Sequence, residues 1–242
     1  MAGRADTAAI DPGGVASLRA WKAPVWFAAM LRQKYIEAKQ RWAEKQRAQG
    51  AVPRVAATTG RLPPGQTLTT GFPVLDLGVK PEVPLDQWRL TIDGLVEKPV
   101  TLDWAQFNAL PQVEDVSDFH CVTSWSKYDC RWSGVAFATL CELVEPMPEA
   151  HFVYFTSFDE YSTNVPMEKC LDDDVLVATR FDGQPITREH GGPARVIIPK
   201  LYAWKGAKFV KGIAFLDEDK LGFWEVRGYS NGADPWKEER YA

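Results

Sequence analysis

The sequence predicts an α+β fold in which helices and strands mix without strict alternation. Three observations carry this. Short alternating or apolar runs, bounded by Gly, Pro, Asn and Asp, recur from residue 88 to residue 215 and read as strands. Only brief stretches between them have helical spacing. No internal repeat and no regular strand–helix alternation of the doubly wound kind is present.

The elements follow in order. Residues 1–23 are rich in Gly and Ala and read as a disordered tail. Pro24 opens a predicted helix over 24–50, with Gly50 as its stop. Phe27, Leu31, Tyr35, Ala38 and Trp42 share one face of it, and Arg32, Lys34, Lys39, Arg41, Lys45 and Arg47 populate the other. Residues 1–54 hold ten Lys/Arg against four Asp/Glu, a charge of +6 that leaves −10 on the rest. Such a basic amphipathic helix has two readings. It docks on the acidic body of its own chain or of a second subunit in a homodimer, or it makes a peripheral membrane contact. Residues 51–86 carry Pro53, Pro63, Pro64, Gly65, Pro73, Pro81 and Pro84 and form an extended arm. The main domain is assigned to 87–242. Within it Trp88–Gly94 alternates like a strand, and Leu102–Leu110 and Ala136–Val144 are short helices. Further strands are expected at Phe152–Thr156, Val175–Ala178, Arg195–Ile198 and Phe209–Phe215.

Composition excludes several function classes. A net charge of −4 gives nucleic acid no basic surface at the level of the whole chain. Four cysteines without C-x-x-C spacing, and histidines scattered at 120, 151 and 190, exclude a zinc finger or ribbon. The same cysteines are too few for a disulfide framework and favour a reducing compartment. No eighteen-residue apolar run exists, and the N-terminus has neither the layered pattern of a signal peptide nor a twin-arginine pair, so the chain as given reads as cytoplasmic. Neither the phosphate-loop nor the dinucleotide-loop glycine pattern occurs. C-x-x-C-H is missing too, so no haem is expected in this chain.

Chemistry concentrates in two strings. The first is Asp118-Phe119-His120-Cys121-Val122-Thr123-Ser124-Trp125-Ser126, followed by Trp132-Ser133-Gly134-Val135. A thiolate is a soft ligand, and cationic neighbours favour the deprotonated form it needs. His120 adjoins Cys121, but neighbours on an extended segment point opposite ways, so it is not expected to share a metal with it. The second string is His190-Gly191-Gly192-Pro193-Ala194-Arg195, a glycine pair that admits close backbone approach, leading to Lys205-Gly206-Ala207-Lys208. Arg195, Lys205 and Lys208 have the chemistry to converge on a phosphate.

Together these strings resemble the sulfite-oxidase superfamily of molybdopterin-dependent oxidoreductases, over roughly residues 70–232. The resemblance implies a sulfite-oxidase-type fold of mixed sheets with short helices, and molybdenum ligated by Cys121. It implies a pterin cofactor held by His190, Arg195, Lys205, Gly206 and Lys208, with Thr156 and Asp159 as further contacts in the Thr156–Pro166 segment. Gly222-Phe223-Trp224-Glu225-Val226-Arg227-Gly228-Tyr229 resembles the stretch that places a pocket tyrosine, here Tyr229. Arg131, Arg180 and Arg188 are the candidates for the family's substrate-binding arginine. The implied activity is two-electron oxygen-atom transfer on a small sulfite- or sulfoxide-like substrate, with electrons exchanged through a separate partner protein. The alternatives are a non-catalytic binding or assembly protein that retains the scaffold, a sulfoxide reductase working with a separate membrane or soluble electron partner, and a phosphate-ester enzyme built on the Arg/Lys cluster.

Overall fold

The computed structural model describes residues 60–242 and, before them, Gln33, Ile36 and Glu37. The predicted tail and the start of the arm lie outside the described residues, as does all but those three residues of the predicted 24–50 helix. The three are helical, with Gln33 Nε2 donating to Glu37 Oε1 at 3.0 Å, and Ile36 is buried.

Eleven strands and three α-helices follow among the described residues. They are β1 (Thr67–Leu68), β2 (Arg89–Gly94), β3 (Val100–Asp103), α1 (Trp104–Ala109), β4 (Val113–Cys121), β5 (Trp125–Ala136) and α2 (Phe137–Val144). After these come β6 (Phe152–Ser157), β7 (Ser162–Pro166), α3 (Met167–Cys170), β8 (Leu176–Phe181), β9 (Gln184–Pro185), β10 (Arg195–Ile197) and β11 (Val210–Leu216). One sheet runs β1-β5-β8-β10, with β4 pairing β5 and β9 pairing β8. The other runs β3-β2-β11-β6-β7. This is the mixed α+β architecture the sequence predicts.

Local chemistry accounts for the boundaries. The predicted Leu102–Leu110 helix starts two residues late. Asp103 closes β3 and caps α1, its carboxylate accepting from Gln106 N at 2.8 Å while Gln106 Oε1 accepts from Asp103 N at 2.9 Å. In α2, Phe137, Leu140 and Val144 fall at helical spacing and are fully buried. In β6, Val153, Phe155 and Ser157 face the core while Phe152, Tyr154 and Thr156 alternate to the other side. Trp88, Phe107, Val135, Phe137, Phe155 and Phe215 are completely buried in the main core, each contributing about 1.5–3 kcal/mol.

The β4–β5 hairpin is the longest of the elements that sequence reasoning did not foresee. β4 pairs only with β5, and Glu114, Asp115, Ser117 and Asp118 make it polar, so no hydrophobic alternation marks it. Its tip carries Cys121.

Candidate active site

The hairpin tip is built to hold one side chain still. Cys121 ends β4, Trp125 begins β5, and Ser124 takes φ 72° to turn the chain. The Cys121 carbonyl accepts from Ser124 N at 3.1 Å and from Gln66 Nε2 at 3.0 Å. β1 pairs in parallel with the start of β5, Thr67 opposite Trp125. Arg240 Nη1 donates to the Val122 carbonyl at 2.6 Å from the far end of the chain. The tip is thus pinned from three directions, and Cys121 Sγ lies 3.1 Å from Thr123 Oγ1, 5% exposed. His120 points the other way, its Nδ1 2.8 Å from Ser126 Oγ, and burial holds it neutral by pulling its pKa down to about 4. Burial pushes the Cys130 and Cys141 thiols up to about 12, which leaves them inert.

Cys121 opens onto a cleft with about 860 Å³ of empty space, its open mouth included. Val122, Thr123, Trp125, Trp204, Trp224 and Tyr229 also line it. The aromatic rings brace one another: Tyr229 meets Trp204 edge-on at 5.3 Å and Trp224 at 5.1 Å. Elsewhere in the cleft lie His190, Arg195, Gly206 and Lys208, with Asp159 and Tyr161. The turn Arg188–His190 ends at Gly191, whose φ of 101° favours glycine, and a Cβ there would sit 2.6 Å from Lys208 Cγ. The glycine therefore lets Lys208 close against the His190 turn. Lys208 Nζ donates to the carbonyls of Leu75 at 2.7 Å and Glu189 at 2.8 Å, and burial lowers its pKa to about 7 with help from Arg195. Arg195 is 2% exposed, donates through Nη1 to the His190 carbonyl at 2.9 Å, and lies over the rings of Phe119 and Trp132. Burial lowers its pKa to about 10, so it stays charged at neutral pH.

Seven sequence-predicted residues therefore share one cleft: Cys121, Asp159, His190, Arg195, Gly206, Lys208 and Tyr229. Asp159 also closes a local turn, Oδ1 accepting from Tyr161 N at 3.2 Å. Two residues do not join them. Thr156 stands on the opposite face of β6, beside Thr91, Lys211 and Gly212 on the outer side of its sheet. Strand alternation puts it there, because Phe155 and Ser157 take the inner positions. Lys205 is completely buried, and its ammonium is committed to Glu225 Oε1 at 2.7 Å and the Asn164 carbonyl at 2.9 Å, so it is not offered to the cleft. None of the three arginine candidates lines the cleft either. Arg131 pairs with Glu114, Arg180 donates to the Gly183 carbonyl, and Arg188 lies 3.8 Å from Glu82, all at the exposed surface.

Sequence reasoning also missed residues. Phe72, Pro73, Leu75, Asp76 and Leu77 of the arm form one wall of the cleft, and Phe72 stacks on His190 at 4.2 Å. Their proline-rich setting reads as linker, and only the cluster Gly71-Phe72-Pro73-Val74-Leu75 hints at packing.

The family model of the oxidoreductase molybdopterin binding domain matches residues 77–224. The chain belongs to that family. It is a molybdopterin-dependent oxidoreductase of the sulfite-oxidase type. It is 39% identical over 189 residues to the uncharacterized oxidoreductase YuiH of Bacillus subtilis, covering 78% of this chain and 96% of that one. It is 29% identical over 155 residues to the protein-methionine-sulfoxide reductase catalytic subunit MsrP of Gluconobacter oxydans, covering 57% of this chain and 49% of that one. Among solved structures, the sulfane dehydrogenase SoxCD of Paracoccus pantotrophus shares the fold, with a TM-score of 0.53 and 23% identity over 57% of this chain and 40% of that one. The chain thus spans about half the length of the sulfoxide reductase it matches.

The cleft fits the family's cofactor on its own chemistry. Arg195 Nε and His190 Nδ1 are buried without a partner among the described residues. An orphaned buried donor or acceptor costs about 1–3 kcal/mol, which an anionic ligand with several acceptors would offset. Both belong to the predicted phosphate segment, and the single thiol that lines the cleft is Cys121.

Proposed function

We propose that this oxidoreductase reduces a neutral sulfoxide, with Cys121 as the molybdenum ligand and Arg195, His190 and Lys208 holding the pterin phosphate. Bound there, the cofactor supplies two-electron oxygen-atom transfer. The observation that carries the substrate reading is the charge inventory of the cleft. Among the described residues its charged side chains are Asp76, Asp159, Arg195 and Lys208, with His190 beside them. Both cations are tied to backbone carbonyls in the phosphate segment. No further cation remains for a sulfite dianion, whereas the Trp125, Trp204, Trp224 and Tyr229 walls suit an uncharged S=O group carried on an apolar body. A buried site that binds an anion needs paired charge, and this one lacks the surplus. The sulfoxide-reductase relatives agree with that choice, and the words "catalytic subunit" in their name support a separate electron-donating partner.

In this reading Tyr229 orients the substrate beside Cys121, and the Gly191 turn lets Lys208 and Arg195 neutralise the cofactor. The test is a pair of assays on protein from a cofactor-competent host. Methionine sulfoxide reduction with a reduced viologen should exceed sulfite oxidation with ferricyanide by at least tenfold. Cys121→Ala should abolish it and alter the Mo–S coordination seen by X-ray absorption. Faster sulfite oxidation, or unchanged Mo–S coordination in the variant, would sink the assignment.

A further inference from the structure

Behind the aromatic wall of the cleft, one buried carboxylate joins three segments of the chain. Glu225 Oε1 accepts from the Trp204 indole Nε1 at 3.1 Å and from Thr163 Oγ1 at 3.0 Å, and it pairs with Lys205 Nζ at 2.7 Å. Trp204 and Lys205 belong to the turn Ala203–Lys205 and Thr163 to β7, while Glu225 opens the turn Glu225–Arg227 directly after Trp224. The Lys205 and Glu225 side chains are 0% and 1% exposed. Trp204 is held elsewhere too. Its carbonyl accepts from the Tyr161 hydroxyl, and its ring stacks on Tyr202 at 5.3 Å. That ring lines the cleft and shares one apolar cluster with Cys121, Val122 and Tyr229. The indole is therefore fixed at its nitrogen, its backbone and its face.

Stability alone does not call for an ion pair here. Apolar side chains of the same volume often do as well or better. The second Glu225 oxygen is also buried with no partner among the described residues, which adds a cost. What the charge adds is direction. A hydrogen bond to an ionised acceptor is roughly twice as strong as one between neutral groups, and it ties the indole N–H to one point. A phenylalanine would supply an apolar ring with no polar atom to satisfy, so the Trp204 nitrogen gives the wall an orientation as well as an area. That wall stands beside Cys121, and a tilt of the ring changes the space left for a substrate there.

We propose that Glu225, with Lys205 as its counter-ion, is a positioning residue that sets the Trp204 indole and so selects which sulfoxides the cleft accepts. This rests on the sulfoxide-reducing reading. Neither Glu225 nor Lys205 lines the cleft, so both act through the ring alone. A sulfoxide carrying a flat apolar group packs against the indole, whereas one carrying two methyl groups is too small to use it. The carboxylate cannot swing away without stranding the Trp204 N–H in the interior.

The test uses the full-chain holoenzyme. K205M/E225L replaces the ion pair by apolar side chains, and K205M/E225Q keeps an oxygen acceptor for the indole. In K205M/E225L, KM for methyl phenyl sulfoxide should rise about tenfold with kcat little changed, while KM for dimethyl sulfoxide stays at the wild-type value. K205M/E225Q should recover most of the aryl sulfoxide KM, and molybdenum per chain should match wild type in both. A second readout needs no substrate. In protein labelled with 15N-tryptophan, the indole N–H resonance that W204F lacks should move upfield in K205M/E225L. Wild-type KM for the aryl sulfoxide in that variant, or equal rises for both sulfoxides, would overturn the proposal. An unmoved indole resonance would overturn it as well. Should K205M/E225L not fold, the same resonance in K205M/E225Q decides, because loss of the charge should still shift it and an unmoved signal refutes the contact. A resonance that moves in a protein reducing neither sulfoxide would refute the substrate reading and keep Glu225 as the residue that sets Trp204.

Discussion

At the scale of single residues, the site rests on side chains that pair burial with charge. Lys208 shows the consequence most clearly. Its ammonium is held at about 7 by burial, with Arg195 adding repulsion, against 10.5 for an exposed lysine. The folded state therefore binds fewer protons than the unfolded state between these values, so the Lys208 contribution to stability rises as pH climbs from about 7 towards 10.5. Below about 7 both states are protonated and the contribution stays at its low plateau. A neutral amine still has two N–H groups for the Leu75 and Glu189 carbonyls, so the contacts survive deprotonation. The expected outcome is that the melting temperature of cofactor-free wild type gains on Lys208→Met as pH is raised from 7 to 9. A gap that is flat with pH would show that Lys208 is not desolvated in the free protein. The residue scale is also where the sequence was most legible. A thiol in His-Cys-Val-Thr, a glycine pair and a following Arg are short strings, and their neighbours along the chain largely set their geometry. Lys-x-x-Lys spacing says nothing about which lysine turns inward, and here Lys205 does. The turn Ala203–Lys205 points it at Glu225, a partner twenty residues later.

At the scale of elements, the informative contrast is between β4 and the arm. Both carry the site, and neither announces itself. β4 is an edge strand with acidic side chains, so its burial pattern does not alternate. The arm is proline-rich, and among its described residues strand pairing involves Thr67 and Leu68. Interior strands such as β6 and β11 were legible because one face is buried and the period of two survives. The same rule of alternation places Thr156 on the outer face, away from the cleft. The arm makes a specific prediction. Phe72 meets Phe119 at 5.1 Å, Phe181 at 5.1 Å and Trp132 at 6.1 Å besides stacking on His190. Phe72 is half-buried, so its removal should cost less than the about 3–5 kcal/mol of a fully buried phenylalanine, with each aromatic pair contributing about 0.5–1.5 kcal/mol beyond burial. Phe72→Ala should lower the melting temperature by several degrees and reduce molybdopterin per chain, measured after acid release of the pterin. Full occupancy with an unchanged melting temperature would mean that the arm is no part of the site.

At the scale of the whole molecule, charge is divided unevenly, +6 on residues 1–54 and −10 on the remainder. We propose that the basic 24–50 segment docks on protein rather than on lipid, its positive charge matching the negative charge of the remainder. Each large apolar side chain it covers would contribute about 1.5–3 kcal/mol. Deleting residues 1–50 should then lower the melting temperature and promote aggregation. A thermally silent deletion, together with salt-sensitive co-sedimentation of the full chain with anionic vesicles, would assign the segment to a membrane surface instead. Among the described residues no helix is long and apolar enough to cross a membrane.

The arm wall has one further consequence, for maturation. Phe72, Leu75 and Asp76 border the space a cofactor would fill, and Lys208 fastens this stretch to the His190 turn through the Leu75 carbonyl. Loading of the cleft should therefore hold the arm more firmly in place. A chain that has received its cofactor should resist proteolytic nicking between residues 69 and 80, and an empty one should be cut there first. The arm then serves as a seal that reports whether the enzyme has been charged.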